Sequence, residues 1–108
     1  MALLDAEGRV VSRRTLTVDT GALQPALAWQ ADSFAVLYHS QVTRGIEGVR
    51  VSPDIQRQSE AALLAPDSKE AAAVEAGGEL LGMVWLHEDV PRDPADAWFA
   101  TGYLGCPP

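Results

Sequence analysis

The sequence predicts an α+β fold in a single domain, residues 1–108, with a mainly antiparallel sheet of four to five strands and two to three short helices. Three observations predict it. Residues 33–42 and 80–87 are apolar on both sides, which is typical of central strands. Short apolar runs around turn-forming residues indicate two hairpins in the first half of the chain. Over residues 52–78 the spacing of apolar residues lengthens from two to nearly four, which favours helices.

The first half of the chain predicts two hairpins. An Asp-Ala-Glu-Gly connection joins residues 2–4 to residues 9–18, and its glycine suits the return of a hairpin. Residues 20–32 are predicted to form a loop with at most one helical turn, because a proline lies where a helix would begin. Residues 33–42 then form a central strand, and a Thr-Arg-Gly turn leads to its partner, residues 46–52.

Two helices are predicted in the middle of the chain. Ser52 can accept hydrogen bonds from first-turn amides, Pro53 suits the first helical position, and Asp54 faces the positive end of the helix dipole. This helix ends at Pro66. A second helix is predicted over residues 67–78, since an aspartate can cap its start and a glycine pair can end it.

The last part of the chain predicts a strand over residues 80–87 and a short helix that begins at Asp93 and Pro94 and ends near Gly102. Helix is the competing prediction for the strand, but the segment lies between a glycine pair and a proline. No internal repeat is detectable. The residues predicted to be buried in the two central strands are Phe34, Val36, Leu37, Leu81, Val84 and Leu86.

Composition predicts a soluble cytoplasmic protein without a membrane partner. The longest uncharged apolar run, residues 80–86, is far shorter than the roughly 20 residues of a membrane span. An acidic residue at position 5 stands where a signal peptide would be basic. The single cysteine, Cys106, cannot form an internal disulfide, which fits a reducing compartment, and we expect it to be an inert thiol.

Charge is distributed unevenly along the chain. Residues 1–58 balance six arginines against six acids, so the net charge of −7 lies wholly in residues 59–108. An acidic surface attracts a basic partner and repels nucleic acid, although acids on solvated surfaces also serve solubility alone. Arg9, Arg13 and Arg14 lack the aromatic platform that single-stranded nucleic acid stacks on. We therefore expect no nucleic-acid partner.

Histidine and carboxylate residues cluster at the end of the second central strand. His87 and Asp89 could converge on one ion, whereas Glu88 lies on the other side, because adjacent residues of a strand point to opposite faces. A catalytic metal site needs three protein ligands, so His39, at the end of the other central strand, would have to complete it. We therefore predict no metal and no cofactor, and keep His87, Asp89 and His39 as weak metal candidates.

Aromatic residues near the C-terminus are the candidate interface. Trp98 and Phe99 would lie about 100° apart on a helix, so they cannot both face the core, and Tyr103 follows closely. At least one should be exposed, and Asp93 and Asp96 would supply an acidic rim. Alternatively, the helix packs Trp98 into the core and the C-terminal tail covers Phe99.

These features predict a small acidic, non-catalytic protein-binding module, such as an inhibitor, an immunity-type protein, a regulatory subunit or a phage- or plasmid-encoded accessory factor. Its partner would be another protein, with basic proteins among the candidates, or a second copy in a homodimer. One alternative is a small enzyme that uses His39 or His87 with nearby carboxylates for acid-base or metal-assisted hydrolysis. The other is a structural subunit of a larger assembly.

Overall fold

The computed structural model describes residues 1–17, 21–70, 74–87, 96–105 and 107–108. Within these residues the chain forms ten β-strands and no helix, so the predicted α+β class is wrong. The strands are β1 (Ala2–Leu4), β2 (Val10–Arg13), β3 (Ala22–Gln30), β4 (Ser33–Ser40), β5 (Gly45–Val51), β6 (Ala62–Ala65), β7 (Ser68–Glu70), β8 (Val74–Gly77), β9 (Leu80–His87) and β10 (Asp96–Gly102).

The strands form a hairpin and two antiparallel sheets. β1 and β2 pair as the predicted N-terminal hairpin. The first sheet is the meander β3-β4-β5-β6, in which β4 lies between β3 and β5 and is central, as predicted. In the second sheet β9 is central. β10 pairs along nearly all of one edge of β9, and β7 and β8 follow one another along the other edge.

The first predicted helix, residues 52–66, is replaced by a tight turn and strand β6. The hydroxyl of Ser52 donates a hydrogen bond to Oδ1 of Asp54 (2.6 Å), and the same oxygen accepts the backbone N–H of Gln56 (3.1 Å). Side chains that suit a helix N-terminus here satisfy a turn instead, because both structures use the same local hydrogen bonds. Ile55 completes the turn with a φ of 55°, which a right-handed helix does not contain.

The second predicted helix, residues 67–78, is also wrong. The described part of this segment forms β7 and β8, while residues 71–73 lie outside the described residues. Asp67 has a φ of 55° and follows Pro66, and a proline before a positive φ is the pattern of a type II turn. Gly78 has a φ of 65° at the first position of the two-residue connection between β8 and β9, as in a type II′ hairpin. The predicted cap residues therefore mark turns between strands.

The predicted loop over residues 20–32 is wrong, since residues 22–30 form β3. The pairing of β3 with β4 shifts register between Leu23 and Ala26, and Gln24 has a φ of 52°. Proline is tolerated in a strand at such a bulge, because the ladder hydrogen bond that it cannot donate is already interrupted. The proline that suggested a loop thus lies at an irregularity inside a strand.

The last predicted helix, residues 93–102, is replaced by β10, which begins at Asp96 opposite His87 of β9. Asp93 and Pro94, the residues on which the helix prediction rested, lie outside the described residues. An apolar strand with an open edge offers backbone partners along its length. Pairing with β9 therefore overrides the weak local preference for a helix.

The hairpin, the first sheet and the second sheet stack as three layers. We call the side of the first sheet that carries Ala35, Leu37 and His39 its front, and the opposite side its back. The front packs on the second sheet, where Leu37 clusters with Trp85 and Ala35 with Leu81. The back is covered by the N-terminal segment. Its cluster consists of Val36, Tyr38, Val49, Val51 and Ile55, with Phe34, Ala22, Met1, Leu3 and Leu16 packed against it.

The predicted core is confirmed in part. Val36, Leu37 and Leu81 are buried, and Phe34 and Leu86 are half-buried. Val84 is 39% exposed, so the prediction for this residue is wrong. Both sides of β9 are apolar, but among the described residues only the side that faces the first sheet is covered by another layer.

The two sheets repeat one arrangement of strands. β4 spans residues 33–40 and β9 spans residues 80–87, an offset of 47 residues at both ends, and each follows a two-residue turn. No residue of β4 is identical to its counterpart in β9, which explains why the sequence shows no detectable repeat. The same offset defines the faces of the second sheet. Its back carries Leu81, Met83 and Trp85, which face the first sheet, and its front carries Gly82, Val84 and Leu86.

Candidate protein interface

The three predicted interface aromatics lie on β10 and just beyond it, and all are exposed. The expected exposure is confirmed, but its predicted cause is wrong. Trp98 and Phe99 are neighbours on a strand, so they point to opposite faces of the second sheet. Trp98 lies on the back opposite Trp85, and their ring centroids are 6.2 Å apart at an interplanar angle of 57°. Tyr103 follows the strand.

The front of the second sheet carries an exposed apolar patch. Phe99 is 67% exposed and lies directly opposite Val84 in the β9–β10 pairing. Leu80 lies on the same face of β9 and is exposed as well. We call Leu80, Val84 and Phe99 the front patch. Neighbouring apolar side chains on one sheet face normally lie against another layer, so this patch is a candidate contact surface.

Within the described residues, strand β10 also has an open edge. Among the strands that the structure describes, β10 pairs only with β9, whereas β5, which holds the corresponding position in the first sheet, pairs with both β4 and β6. An open edge presents backbone N–H and C=O groups that can pair with a strand from another chain. Within the described residues, no strand therefore takes in the second sheet the position that β6 has beside β5 in the first.

A small apolar cavity lies between the two sheets near this edge. Its volume is about 150 Å³, and its lining includes Leu64 of β6, Met83 of β9 and Ala100 of β10, with Tyr103 and Leu104 beyond the strand. This is below the few hundred Å³ of an ordinary small-molecule site. The cavity is of a size to accept one apolar side chain of a partner.

The acidic rim cannot be assigned from side-chain positions. Asp93 lies outside the described residues, and Asp96 is placed only as the first residue of β10. The signal that the sequence reasoning missed is the apolar row formed by Leu80 and Val84. Of these two residues, Val84 is predicted to be buried, because a strand that is apolar on both faces normally lies inside a protein.

Strand β7 connects His39 and His87, the two histidines of the metal hypothesis, through its residue Ser68. His39 is buried, and its Nε2–H donates a hydrogen bond to the backbone carbonyl of Ser68 (2.8 Å). Ser68 in turn lies opposite His87 in the β7–β9 pairing. Asp89 lies outside the described residues, and no group of three potential metal ligands occurs in the part of the chain that was described. The hydrogen bond gives His39 a structural role, since it satisfies a buried carbonyl.

A polar cavity of about 310 Å³ shares Tyr103 and Leu104 with the apolar cavity, and its lining also includes Gln30, Asp32, Arg50 and Glu79. The guanidinium group of Arg50 donates to Oγ of Ser33 and to Oδ1 of Asp32, each at 2.9 Å. These contacts hold the β3–β4 turn against β5. The arginine therefore has partners within the fold.

The described residues contain no helix long and apolar enough to cross a membrane. Comparison of the chain with protein-family models, with curated proteins and with solved structures found no match.

Proposed function

We propose that the chain is a non-catalytic protein-binding module whose binding surface is the front patch together with the open edge of β10. The observation that carries the proposal is the pair Phe99 and Val84, exposed side by side on a strand pair whose outer edge is open. A few well-packed residues carry most of the binding energy at protein interfaces, and large aromatic side chains are frequent among them. Open strand edges add backbone hydrogen bonds to such contacts.

The proposed binding mode has two parts. An extended segment of the partner pairs with the edge of β10, and one of its apolar side chains enters the cavity beside Tyr103 and Leu64. A second apolar surface packs on the front patch, where Phe99 and Val84 supply the contact area. Alternation of side chains along a paired strand makes both contacts compatible, because successive residues reach opposite faces.

Charge narrows the class of partner. The excess of seven acids over basic residues in residues 59–108 favours a protein with a basic surface, or a second copy that presents its less acidic first half, and disfavours nucleic acid. We place the protein in the cytoplasm, because a single cysteine suits a reducing compartment. Inhibitor, immunity-type, regulatory and accessory roles all require this kind of surface. Buried His39, already bonded to a backbone carbonyl, offers little support for the enzyme alternative.

Site-directed photo-crosslinking tests the proposal. A benzophenone analogue of phenylalanine is placed at position 99, and in a matched control at position 42, since Val42 is an apolar residue in the β4–β5 turn that is at least as exposed as Phe99. Irradiation of cells that produce the protein should give a discrete protein adduct at position 99. The adduct should be absent at position 42, and it should weaken when Val84→Asp is added to the position 99 variant. No adduct at either position, or equal labelling at both, contradicts the proposal.

A further inference from the structure

The three layers of the molecule stack in the order N-terminal hairpin, first sheet, second sheet. The front of the first sheet packs on the back of the second sheet, through Leu37 against Trp85 and Ala35 against Leu81. The back of the first sheet is in turn covered by the N-terminal hairpin. The front of the second sheet is equivalent by the 47-residue offset to the covered front of the first. It is apolar in the same way, but no described residue covers it.

The opposite end of the stack is apolar as well. Leu3 of β1 faces inward and packs on the core of the first sheet. The β1–β2 pairing shifts register between Leu3 and Leu4, and this bulge brings both Val10 and Val11 opposite Leu4 on the outer side of the hairpin. All three residues are exposed. We call these three residues the hairpin patch. The hairpin is held firmly in place, since the guanidinium group of Arg14 donates to Oε1 of Gln58 (2.8 Å) and to the carbonyl of Gln56 (2.6 Å).

The two ends differ in charge. Residues 1–17, which include the hairpin, contain Arg9, Arg13 and Arg14 against Asp5 and Glu7, an excess of one basic residue. Residues 59–108, which include the second sheet, contain nine acids against two basic residues. Contact between the two ends therefore brings opposite charge together, whereas contact between two front patches brings acidic sheets together.

We propose that copies of this chain associate head to tail, with the front patch of one copy packed against the hairpin patch of the next. The inference rests on the proposed function, because it names a second copy as the partner for that surface. It continues the stacking order found inside the molecule, in which each front is covered by the next layer. The two patches differ, so the contact is heterologous and adds further copies until a ring closes or a filament grows.

Sedimentation velocity from about 1 µM to about 1 mM protein covers the range of weak to moderate self-association. We expect the average mass to rise with concentration beyond that of a dimer. Phe99→Asp removes the front patch and Val11→Asp removes the hairpin patch, so each variant alone should be monomeric. Val42→Asp, which places the same charge on an exposed turn, should associate like the unaltered protein.

The decisive measurement is the mixture of the two monomeric variants. Phe99→Asp keeps an intact hairpin patch and Val11→Asp keeps an intact front patch, so an equimolar mixture should form a dimer and stop there. An unaltered protein that stays monomeric throughout the range overturns the inference. So does a Val11→Asp variant that still dimerises, because that result shows contact between like patches.

Folding of the variants is checked by urea unfolding, and Leu80→Asp with Val10→Asp serves as a second pair if either first variant unfolds. Failure of the inference is distinguishable from failure of the proposed function. A monomeric protein whose position 99 still crosslinks to a different protein, with Val11→Asp leaving that adduct intact, overturns self-association alone. Absence of any adduct at position 99 overturns both.

Discussion

Ile55 offers a sharp test of the turn that replaces the first predicted helix. Its side chain is fully buried at 0% exposure, in the cluster with Val36, Tyr38, Val49 and Val51. Its backbone has a φ of 55°, the left-handed region that a β-branched residue rarely adopts. Burial of the side chain therefore stabilises the fold at this residue, whereas the backbone conformation destabilises it. We predict that Ile55→Ala and Ile55→Gly have nearly equal stability.

The expected difference between the two variants follows from three terms, which apply after the cost of removing the isoleucine side chain. Ile55→Ala should cost about 2 to 4 kcal/mol for the lost burial and the cavity. Further change from alanine to glycine loses about 0.8 kcal/mol for one buried carbon and about 0.5 to 1 kcal/mol of chain entropy. It gains about 1 to 2 kcal/mol, because glycine adopts a positive φ without a steric penalty. The terms nearly cancel, so the glycine and alanine variants should agree within about 0.8 kcal/mol.

Val51 supplies the matched control, since it is also 0% exposed but lies in the regular strand β5. There the glycine variant should be about 1.5 kcal/mol less stable than the alanine variant, because no backbone strain is relieved. Urea unfolding of all four variants at one pH measures the two differences. An equal penalty for glycine at both positions would refute the strained turn. A nearly neutral Ile55→Ala would refute the burial.

Three further predictions concern the core, the 52–57 turn and metal binding. Leu37→Ala should cost about 2 to 4 kcal/mol in urea unfolding and Val84→Ala less than about 1 kcal/mol, because Leu37 is 2% exposed and Val84 lies on the open front. A hydrogen bond from Ser52 holds the pKa of Asp54 below 3.8. The Asp54 carboxylate therefore stabilises the fold fully above pH 3.8, and this stabilisation is lost as the pH falls through the lower pKa of the folded state. Asp54→Asn should therefore lower the urea midpoint at neutral pH and reduce its fall in acid. Elemental analysis of purified protein should find less than about a tenth of an equivalent of zinc, iron, manganese or nickel, since His39 is committed to a backbone carbonyl.

Each of these has a clear contrary result. Equal losses at Leu37 and Val84 would mean that another layer of the same chain covers the front of the second sheet. A steeper acid dependence in Asp54→Asn would reverse the assigned sign of the pKa shift. Stoichiometric metal that disappears in His87→Ala would establish the site that the sequence analysis treated as weak.

The sequence was informative where side chains alternate locally between apolar and polar, or between two apolar faces. The N-terminal hairpin and strands β4, β5 and β9 follow from residues that alternate between two faces, and the division of β4 into two apolar sides matches its two packed faces. Alternation in the sequence predicts the structure well because successive side chains of a strand point to opposite faces. These predictions needed no knowledge of the remaining chain.

The helices failed because their start signals are not specific to helices. The sequence pattern predicts Ser52 and Asp67 as N-terminal caps and Asp54 at the positive end of the helix dipole. In the structure the hydroxyl of Ser52 and the carboxylate of Asp54 accept backbone N–H groups in a turn instead. What decides between the two is whether the following segment finds a strand partner. That depends on residues far away in sequence, such as the edge of β5 for β6 and the edge of β9 for β10.

The candidate interface shows why exposure could not be assigned from sequence alone. Strands β4 and β9 have the same pattern, apolar on both sides, and both are central in their sheets. In β4 both sides are covered, by the hairpin and by the second sheet, whereas the front of β9 leaves Val84 exposed. Strand β9 thus has the apolar pattern of a strand covered on both faces, but no described residue covers its front. We therefore expect another layer to pack on this front. Inside the molecule the first sheet covers the hairpin and the second sheet covers the front of the first. The simplest layer to cover the front of the second sheet is therefore one that the chain already makes, the outer side of its own hairpin.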